Sequence, residues 1–363
     1  MAQRPENCHR LRRARLSEVL ADRKLDCLVI TSLANVRYLS GFTGSNGVLT
    51  VAQDRAVLFT DPRYGIQASE QTDCTVRIAR GPLIPAVAGW LKTTRCRVAG
   101  FERSHINYDC WKRLEDGLPV KTVLKPAAGL VEGLRMVKSA EEIALIRRSM
   151  QTATRAFERT IRRVRPGLTE LDLAAELDHR MRKLGAEQPA FETIVASGPR
   201  SALPHAQPTE RRLASGDLLL IDMGALQDGY ASDMTRMCFL GEPQATVRQM
   251  YDAVQEAQQA ALDAARDGVP AAAVDRAARR VLRDRGLDRH FVHSTGHGLG
   301  LEIHEAPRLG KGERSVLRAG MAVTIEPGVY LQGFGGVRIE DTVVITPTGC
   351  EVLTGASKEL LLL

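Results

Sequence analysis

Aromatic residues make up only 4% of this 363-residue chain. Proteins that grip single-stranded nucleic acid stack bases on aromatic side chains set among basic ones. Here Lys and Arg exceed Asp and Glu by 50 to 43, a net charge of +7, but the basic residues are scattered. They read as a solvated basic surface, with no nucleic-acid partner. The chain also lacks any stretch approaching the roughly 18 consecutive apolar residues of a membrane span, and its opening segment mixes Arg and acidic side chains where a secretory signal has an apolar core. No membrane partner and a cytoplasmic location are expected. CxxC pairs and zinc-ribbon spacings are absent too, and the cysteine count is seven (Cys8, Cys27, Cys74, Cys96, Cys110, Cys238 and Cys350), an odd number. A disulfide framework or cysteine zinc site is thereby excluded, and the thiols read as reduced and mostly structural.

What is present is a large apolar share, 44%, in a chain longer than one usual domain, so two domains are expected. Up to about residue 125, short β runs (25–32, 48–52, 56–60, 76–79 and 98–102) alternate with helical segments, the pattern of an α/β domain. Residues 125–137 read as a linker, and the division is placed at 1–130 and 131–363. Ser139 with Glu142 three residues later forms a capping box that opens a long amphipathic helix. Beyond it the chain repeats itself coarsely. Two helices (139–163 and 169–184) precede strands at 218–223 and 230–238; two more helices (246–266 and 271–285) precede strands at 321–326 and 337–345. An α+β domain of two αα-ββ halves related by a pseudo-twofold axis follows.

Five candidate metal ligands stand out: Asp222, Asp233, Glu326 and Glu340 on those strands, and His297 in the glycine-flanked segment 294–300. Asp222 interrupts the apolar run Leu-Leu-Leu-Ile-Asp-Met-Gly, where a buried charge costs several kcal/mol unless something compensates it. Asp233 on its own reads as an ion-pair partner of Arg236; beside Asp222 it reads as a ligand. Glu326 in Thr-Ile-Glu-Pro-Gly ends another apolar strand, and Glu340 in Val-Arg-Ile-Glu-Asp lies on a further β run. If the halves pack about their axis, the four carboxylates converge. Four carboxylates and an imidazole suit two divalent cations held close together, because carboxylates bridge metals and offset their charge. Of the eight histidines, His205, His293, His297 and His304 fall in segments able to line one cleft, and His297 is flanked by glycines that permit close approach. Metal-activated water attacking a polarised carbonyl would make the chain a hydrolase, with Glu326 as general base and proton shuttle and His205 and His304 as hydrogen-bond donors to the reacting group. His293 and Arg338 are expected to orient the ligands or hold substrate.

Taken together, Ile221-Asp-Met-Gly, Ser232-Asp-Met-Thr-Arg, residues 293–300, Ile303-His-Glu, Ile325-Glu-Pro-Gly-Val-Tyr and Gly336-Val-Arg-Ile-Glu-Asp resemble the metallopeptidase family of methionine aminopeptidase, aminopeptidase P and prolidase. That resemblance implies a pita-bread catalytic domain from about residue 139 onward. In it Asp222 would chelate one metal, Asp233 and Glu340 would bridge, and His297 with Glu326 would complete the other site. His205 and His304 match substrate-facing histidines, and His293, Arg308, Tyr330 and Arg338 are carried as substrate-binding residues. The separate N-terminal domain, with Tyr38-Leu-Ser-Gly-Phe-Thr-Gly-Ser-Asn-Gly and Thr60-Asp-Pro-Arg-Tyr, is similar to Xaa-Pro peptidases, so the cleaved bond would precede proline. Arg308, four residues after His304, resembles a prolidase feature and suits a free carboxylate. The reading leans to Xaa-Pro dipeptidase, with aminopeptidase P on longer peptides as the alternative and a non-catalytic peptide-binding relative behind both. By resemblance the metal is Mn2+, with Co2+, Zn2+ or Fe2+ as alternatives, and the assembly a homodimer acting on small proline-containing peptides.

Overall fold

The computed structural model describes residues 8–53 and 55–363. The chain divides into two compact units, Met1–Arg135 and Met136–Leu363. The first runs α1 (Cys8–Asp22), β1 (Cys27–Ile30), α2 (Leu33–Ser40), β2 (Gly47–Ala52), β3 (Ala56–Thr60), α3 (Gly65–Gln71), β4 (Thr75–Ile78), α4 (Leu83–Leu91), β5 (Val98–Glu102), α5 (Tyr108–Gly117), β6 (Val123–Ala127) and α6 (Leu130–Met136). Its sheet has the order β4-β3-β2-β1-β5-β6, with β1 parallel to β5 and antiparallel to β2. Central β1, Cys-Leu-Val-Ile, is buried along its whole length, as an uninterrupted apolar run in a sheet covered on both faces requires.

Residues 125–137, read from sequence as a linker, instead hold the end of β6 and all of α6. β6 pairs in parallel with β5 from Val98↔Val123 to Glu102↔Ala127. Arg135 is buried and donates to Asn35 Oδ1 at 2.7 Å, and the Tyr38 hydroxyl donates to the Leu134 carbonyl. The misreading has a physical cause. β6 is an edge strand with an exposed face, so it needs no apolar run and tolerates Pro126.

The second unit begins with α7 (Ala140–Ile161) and α8 (Glu170–Lys183). The expected capping box is formed: the Ser139 side chain accepts from the Glu142 N–H while Glu142 accepts from the Ser139 N–H. Then come β7 (Gln188–Pro189), β8 (Ile194–Ser197), β9 (Leu218–Met223), β10 (Ala225–Gln227), β11 (Tyr230–Ala231), β12 (Met234–Phe239), α9 (Ala245–Ala264) and α10 (Ala271–Asp284). The chain ends with β13 (Gly296–Gly298), β14 (Glu305–Leu309), β15 (Ala322–Ile325), β16 (Gly328–Leu331), β17 (Gly335–Arg338), β18 (Asp341–Ile345), β19 (Cys350–Val352) and β20 (Leu361–Leu362). Two main sheets result, β20-β12-β9-β8 and β14-β13-β15-β18-β19.

The four helices lie within two residues of the ranges read from sequence, because their apolar stripes repeat at the helical period. The strands at 230–238 and 337–345, read as continuous, are each broken. The first splits at Ser232 and Asp233 into β11 and β12, the second at Ile339 and Glu340 into β17 and β18. Each half is therefore a nested pair of hairpins: β9 with β12 outside β10 with β11, and β15 with β18 outside β16 with β17. A Cβ on Gly224 would lie 1.9 Å from the Ser232 carbonyl oxygen, so only glycine lets the inner hairpin close this tightly.

The helix pairs pack reciprocally. Leu219, Ile221 and Met223 of β9 join the core of α7 and α8; Leu218 and Leu220, on the opposite face, join that of α9 and α10. In β15, Val323 and Ile325 pack with α9 and α10, whereas Ala322 packs with the α7 and α8 core. Each sheet thus shows its second face to the other half, as the pseudo-twofold reading requires. Asp222 shares the face of Leu218 and Leu220, and Glu326 continues the face of Ala322 and Thr324, by strand alternation.

Candidate metal centre and active site

Three of the five expected ligands, Asp233, Glu326 and Glu340, flank strands, while Asp222 and His297 lie within them. Asp222 lies in β9 opposite Thr235 of β12, and Asp233 occupies the residue before β12. Glu326 follows β15, and Glu340 precedes β18, where Ile325 pairs with Asp341. His297 sits at the centre of β13, three residues wedged between β14 and β15 with a bulge at His297 and Gly298. That wedge explains its glycines. A Cβ on Gly296 would lie 1.9 Å from the Thr324 carbonyl oxygen, so the strand can approach only without one.

The five side chains converge. His297 Nε2 lies 3.5 Å from both Asp233 Oδ2 and Glu326 Oε1. One ligand atom each from Asp233, His297 and Glu340 fall within 4.8 Å of one another. His297 Nδ1 is 3.0 Å from the Gly298 carbonyl, which fixes the proton there and turns the Nε2 lone pair toward the carboxylates. Hydroxyl groups fix the acids in turn: Thr235 donates to Glu340 Oε2 at 2.8 Å and Thr324 to Glu326 Oε1 at 3.2 Å.

Charge is concentrated here with little to offset it. Burial first, then repulsion from neighbouring carboxylates, pushes Asp233 and Glu340 well above the ordinary carboxylate range. Burial likewise lifts Glu326 to about 7, against the pull of Arg338. Asp222 is 9% exposed; its Oδ2 accepts from Arg338, yet its Oδ1 is buried with no hydrogen-bond partner among the described residues. An orphaned carboxylate oxygen beside three more acids and an imidazole lone pair is a donor set that fits divalent cations, with oxygen dominant and one nitrogen. Asp222, Asp233, His297, Glu326 and Glu340 are the residues able to hold them.

A cavity of about 710 Å³ opens over these residues. His205 and His304, both exposed, line it with His293 and Arg308, so the four expected histidines do share one cleft. The His304 ring stands edge-on to His297 with centroids 4.4 Å apart. Arg308 faces His297 across the β13 and β14 ladder, is exposed, and has no hydrogen bond or ion pair among the described residues.

Two expected substrate residues sit differently. Tyr330 is outside the lining: its hydroxyl is buried between His293 Nε2 at 2.9 Å and an Arg338 Nη1 donor at 2.8 Å. Arg338 touches the cavity, but its guanidinium donates to Asp222, the Thr235 hydroxyl, the Pro204 carbonyl and Tyr330. Its donors are largely consumed inside the protein, so it positions the acids. Sequence reasoning also passed over Phe191, Glu192 and Gln207, which line the cavity, with Gln207 donating to Glu192 at 3.1 Å. Residues 185–215 carry no recognisable motif beyond His205, and β8 brings this wall into place by pairing with β9 around Asp222.

The family model for metallopeptidase family M24 matches residues 144–347, a span that includes all five ligand positions. The chain belongs to this family. The model for the creatinase/prolidase N-terminal domain matches residues 12–137 of this M24 metallopeptidase. It is 37% identical to an Xaa-Pro dipeptidase of Pyrococcus furiosus, over 96% of this chain and 98% of the relative. Among solved structures it is similar to an Xaa-Pro dipeptidase from Bacillus anthracis, with a TM-score of 0.95, 38% identity and coverage of 98% and 100%. An X-Pro aminopeptidase from Thermotoga maritima superposes with a TM-score of 0.88, 36% identity and coverage of 94% and 99%. The M24 chain therefore has the two-domain arrangement with a pita-bread catalytic fold, and it is a metallopeptidase that uses divalent metal.

Proposed function

We propose that this enzyme is an Xaa-Pro dipeptidase, a prolidase, which hydrolyses the peptide bond of dipeptides ending in proline. The observation that carries the dipeptide reading is Arg308. It is an exposed guanidinium on the cavity wall across from His297, without a hydrogen bond or ion pair among the described residues and suited to the free carboxylate of a C-terminal proline. Full-length similarity to Xaa-Pro dipeptidases supports it.

In this reading Asp222, Asp233, His297, Glu326 and Glu340 hold two divalent cations, which when bound supply Lewis-acid activation of water and of the scissile carbonyl. The oxygen-rich donor set favours Mn2+. Glu326 carries the proton from the attacking water toward the departing proline nitrogen. His205 and His304 donate hydrogen bonds to the carbonyl oxygen as charge develops on it. His293, held low at about 4 chiefly by burial, stays neutral and bonds Tyr330, which with Arg338 holds the acids in place. The proline ring meets the apolar wall near Phe191 and Ile194. Residues 131–363 constitute the catalytic part of a cytoplasmic homodimer.

A second reading, Xaa-Pro aminopeptidase on longer peptides, draws on the Thermotoga maritima match. Leucine release from Leu-Pro and from Leu-Pro-Gly by the metal-reconstituted enzyme, with Glu326→Ala as blank, separates the two. Cleavage of the dipeptide alone supports prolidase. Faster tripeptide cleavage replaces it with the aminopeptidase, and silence on both removes the proline assignment.

A further inference from the structure

The first unit holds a feature with no part in peptide hydrolysis. Cys27, at the start of β1, and Cys96, in the segment entering β5, are free thiols whose Sγ atoms lie 3.3 Å apart although 69 residues separate them. Parallel pairing of β1 with β5, which sets Cys27 beside Ala99, brings them together. A second cavity, of about 540 Å³, is lined by both cysteines together with Arg55 and Arg95. Their exposures differ: Cys96 is half-buried whereas Cys27 is 2% exposed behind it. Hydrogen bonding from Cys27 also holds the Cys96 thiol below its ordinary range.

We propose that Cys27 and Cys96 form an oxidisable dithiol that reacts with small hydroperoxides and closes to a disulfide inside the first unit. An accessible, activated thiol in front of a buried one is the arrangement in which the first attacks and the second resolves. Cys96 Sγ, as thiolate, attacks the terminal oxygen of the hydroperoxide; the O–O bond breaks, the alcohol leaves with one proton, and Cys96 becomes a sulfenic acid. Cys27 Sγ then attacks that sulfur, the S–O bond breaks, and the hydroxyl departs as water with the Cys27 proton. Two thiols and one hydroperoxide give a disulfide, an alcohol and water, with two electrons passing from sulfur to oxygen. The sulfurs need approach only from 3.3 Å to the bonded separation of about 2.0 Å, a small rotamer adjustment.

The test uses the full chain, reduced, then treated with tert-butyl hydroperoxide, unfolded in guanidinium chloride so that buried thiols become accessible, alkylated, digested and mapped by mass spectrometry. The expected product is a peptide joining Cys27 to Cys96 with two hydrogens lost, restored by dithiothreitol, while Cys238 stays alkylatable. In Cys27→Ala the reaction stops at Cys96 as a dimedone-reactive sulfenic acid; in Cys96→Ala, Cys27 remains a thiol. Circular dichroism verifies that each variant folds, and the wild-type map decides the matter if one does not. If Cys27 and Cys96 both stay alkylatable at a dose that oxidises exposed Cys8, or Cys96 proceeds to sulfinic acid without joining Cys27, the proposal is overturned.

Discussion

Arg338 Nη2 sits 2.5 Å from Asp222 Oδ2, and the other oxygen of the same carboxylate is buried with no partner among the described residues. One oxygen is thus neutralised by the protein and the other is left for a ligand. The Arg338 guanidinium reaches from the inner hairpin of the second half to the outer hairpin of the first, and it also touches Thr235, Pro204 and Tyr330.

Replacing Arg338 by Met should therefore be far more damaging than loss of a surface charge. It strands a buried carboxylate among three others, at a cost of about 3 to 5 kcal/mol. The expected result is a lower unfolding midpoint in urea and at least a hundredfold fall in kcat/KM, with Arg338→Lys restoring stability in part, since Lys keeps the charge but not the fork. An Arg338→Met enzyme with wild-type urea midpoint would show that Asp222 does not depend on it.

Arg308 predicts the opposite pattern. It is exposed and unpartnered among the described residues, so Arg308→Ala should leave thermal stability within about 0.5 kcal/mol of wild type. If it holds the substrate carboxylate, KM for Leu-Pro should rise roughly tenfold or more while kcat changes little, the signature of lost uniform binding. Leu-Pro amide, which lacks the carboxylate, should be insensitive to the change. Equal KM for Leu-Pro in both enzymes would remove Arg308 from substrate recognition.

Metal removal should cost both activity and stability. Dialysis against a chelator leaves the buried acids facing one another, and a cation at a hundredfold its Kd adds about 2.7 kcal/mol to the folded state. Differential scanning calorimetry with and without Mn2+ should show this increment, and Glu340→Gln should shrink it. A metal-independent midpoint in the wild-type protein would count against the centre.

His293 gives a pH dependence with a definite sign. Its pKa falls from 6.5 to about 4, through burial first and then the charge of Arg338. As pH drops, the unfolded chain takes up this proton near 6.5 and the folded chain only near 4, so stability is lost on acidification across that window and is fully present above it. The loss attributable to this residue is on the order of 3 kcal/mol. His293→Gln keeps a hydrogen bond to Tyr330 without the proton, so its stability should fall less steeply between pH 6.5 and 4 than that of wild type. Parallel curves would refute the assignment.

Gly296 is the position where backbone space decides the site. In Gly296→Ala the new methyl must push β13 from the Thr324 carbonyl and carry His297 with it. A loss of at least a hundredfold in kcat/KM, alongside weaker metal binding in calorimetric titration, is expected from so small a displacement. Wild-type activity in this variant would mean that β13 has slack.

The chemistry of the centre was already legible in the order of the residues. Asp222 within an apolar strand and Glu326 at the end of another cannot be buried without compensation, and that holds whatever the rest of the chain does. The two helix pairs were legible there as well, since α7 to α10 declare themselves through a local period of 3.6 and the Ser139 capping box. Tertiary structure alone decided where the strands break, and hence that Asp233 and Glu340 leave their ladders at Ser232 and Ile339. It also decided that Arg338 would serve Asp222, 116 residues away, and that Tyr330 would lie beneath the cavity wall. The same holds for Cys27 and Cys96, unremarkable in sequence and adjacent in space. Local pattern fixes which face of its own element a side chain takes, because that depends on neighbours a few residues away. Which distant group it meets depends on register and packing, quantities that exist only once the elements have come together.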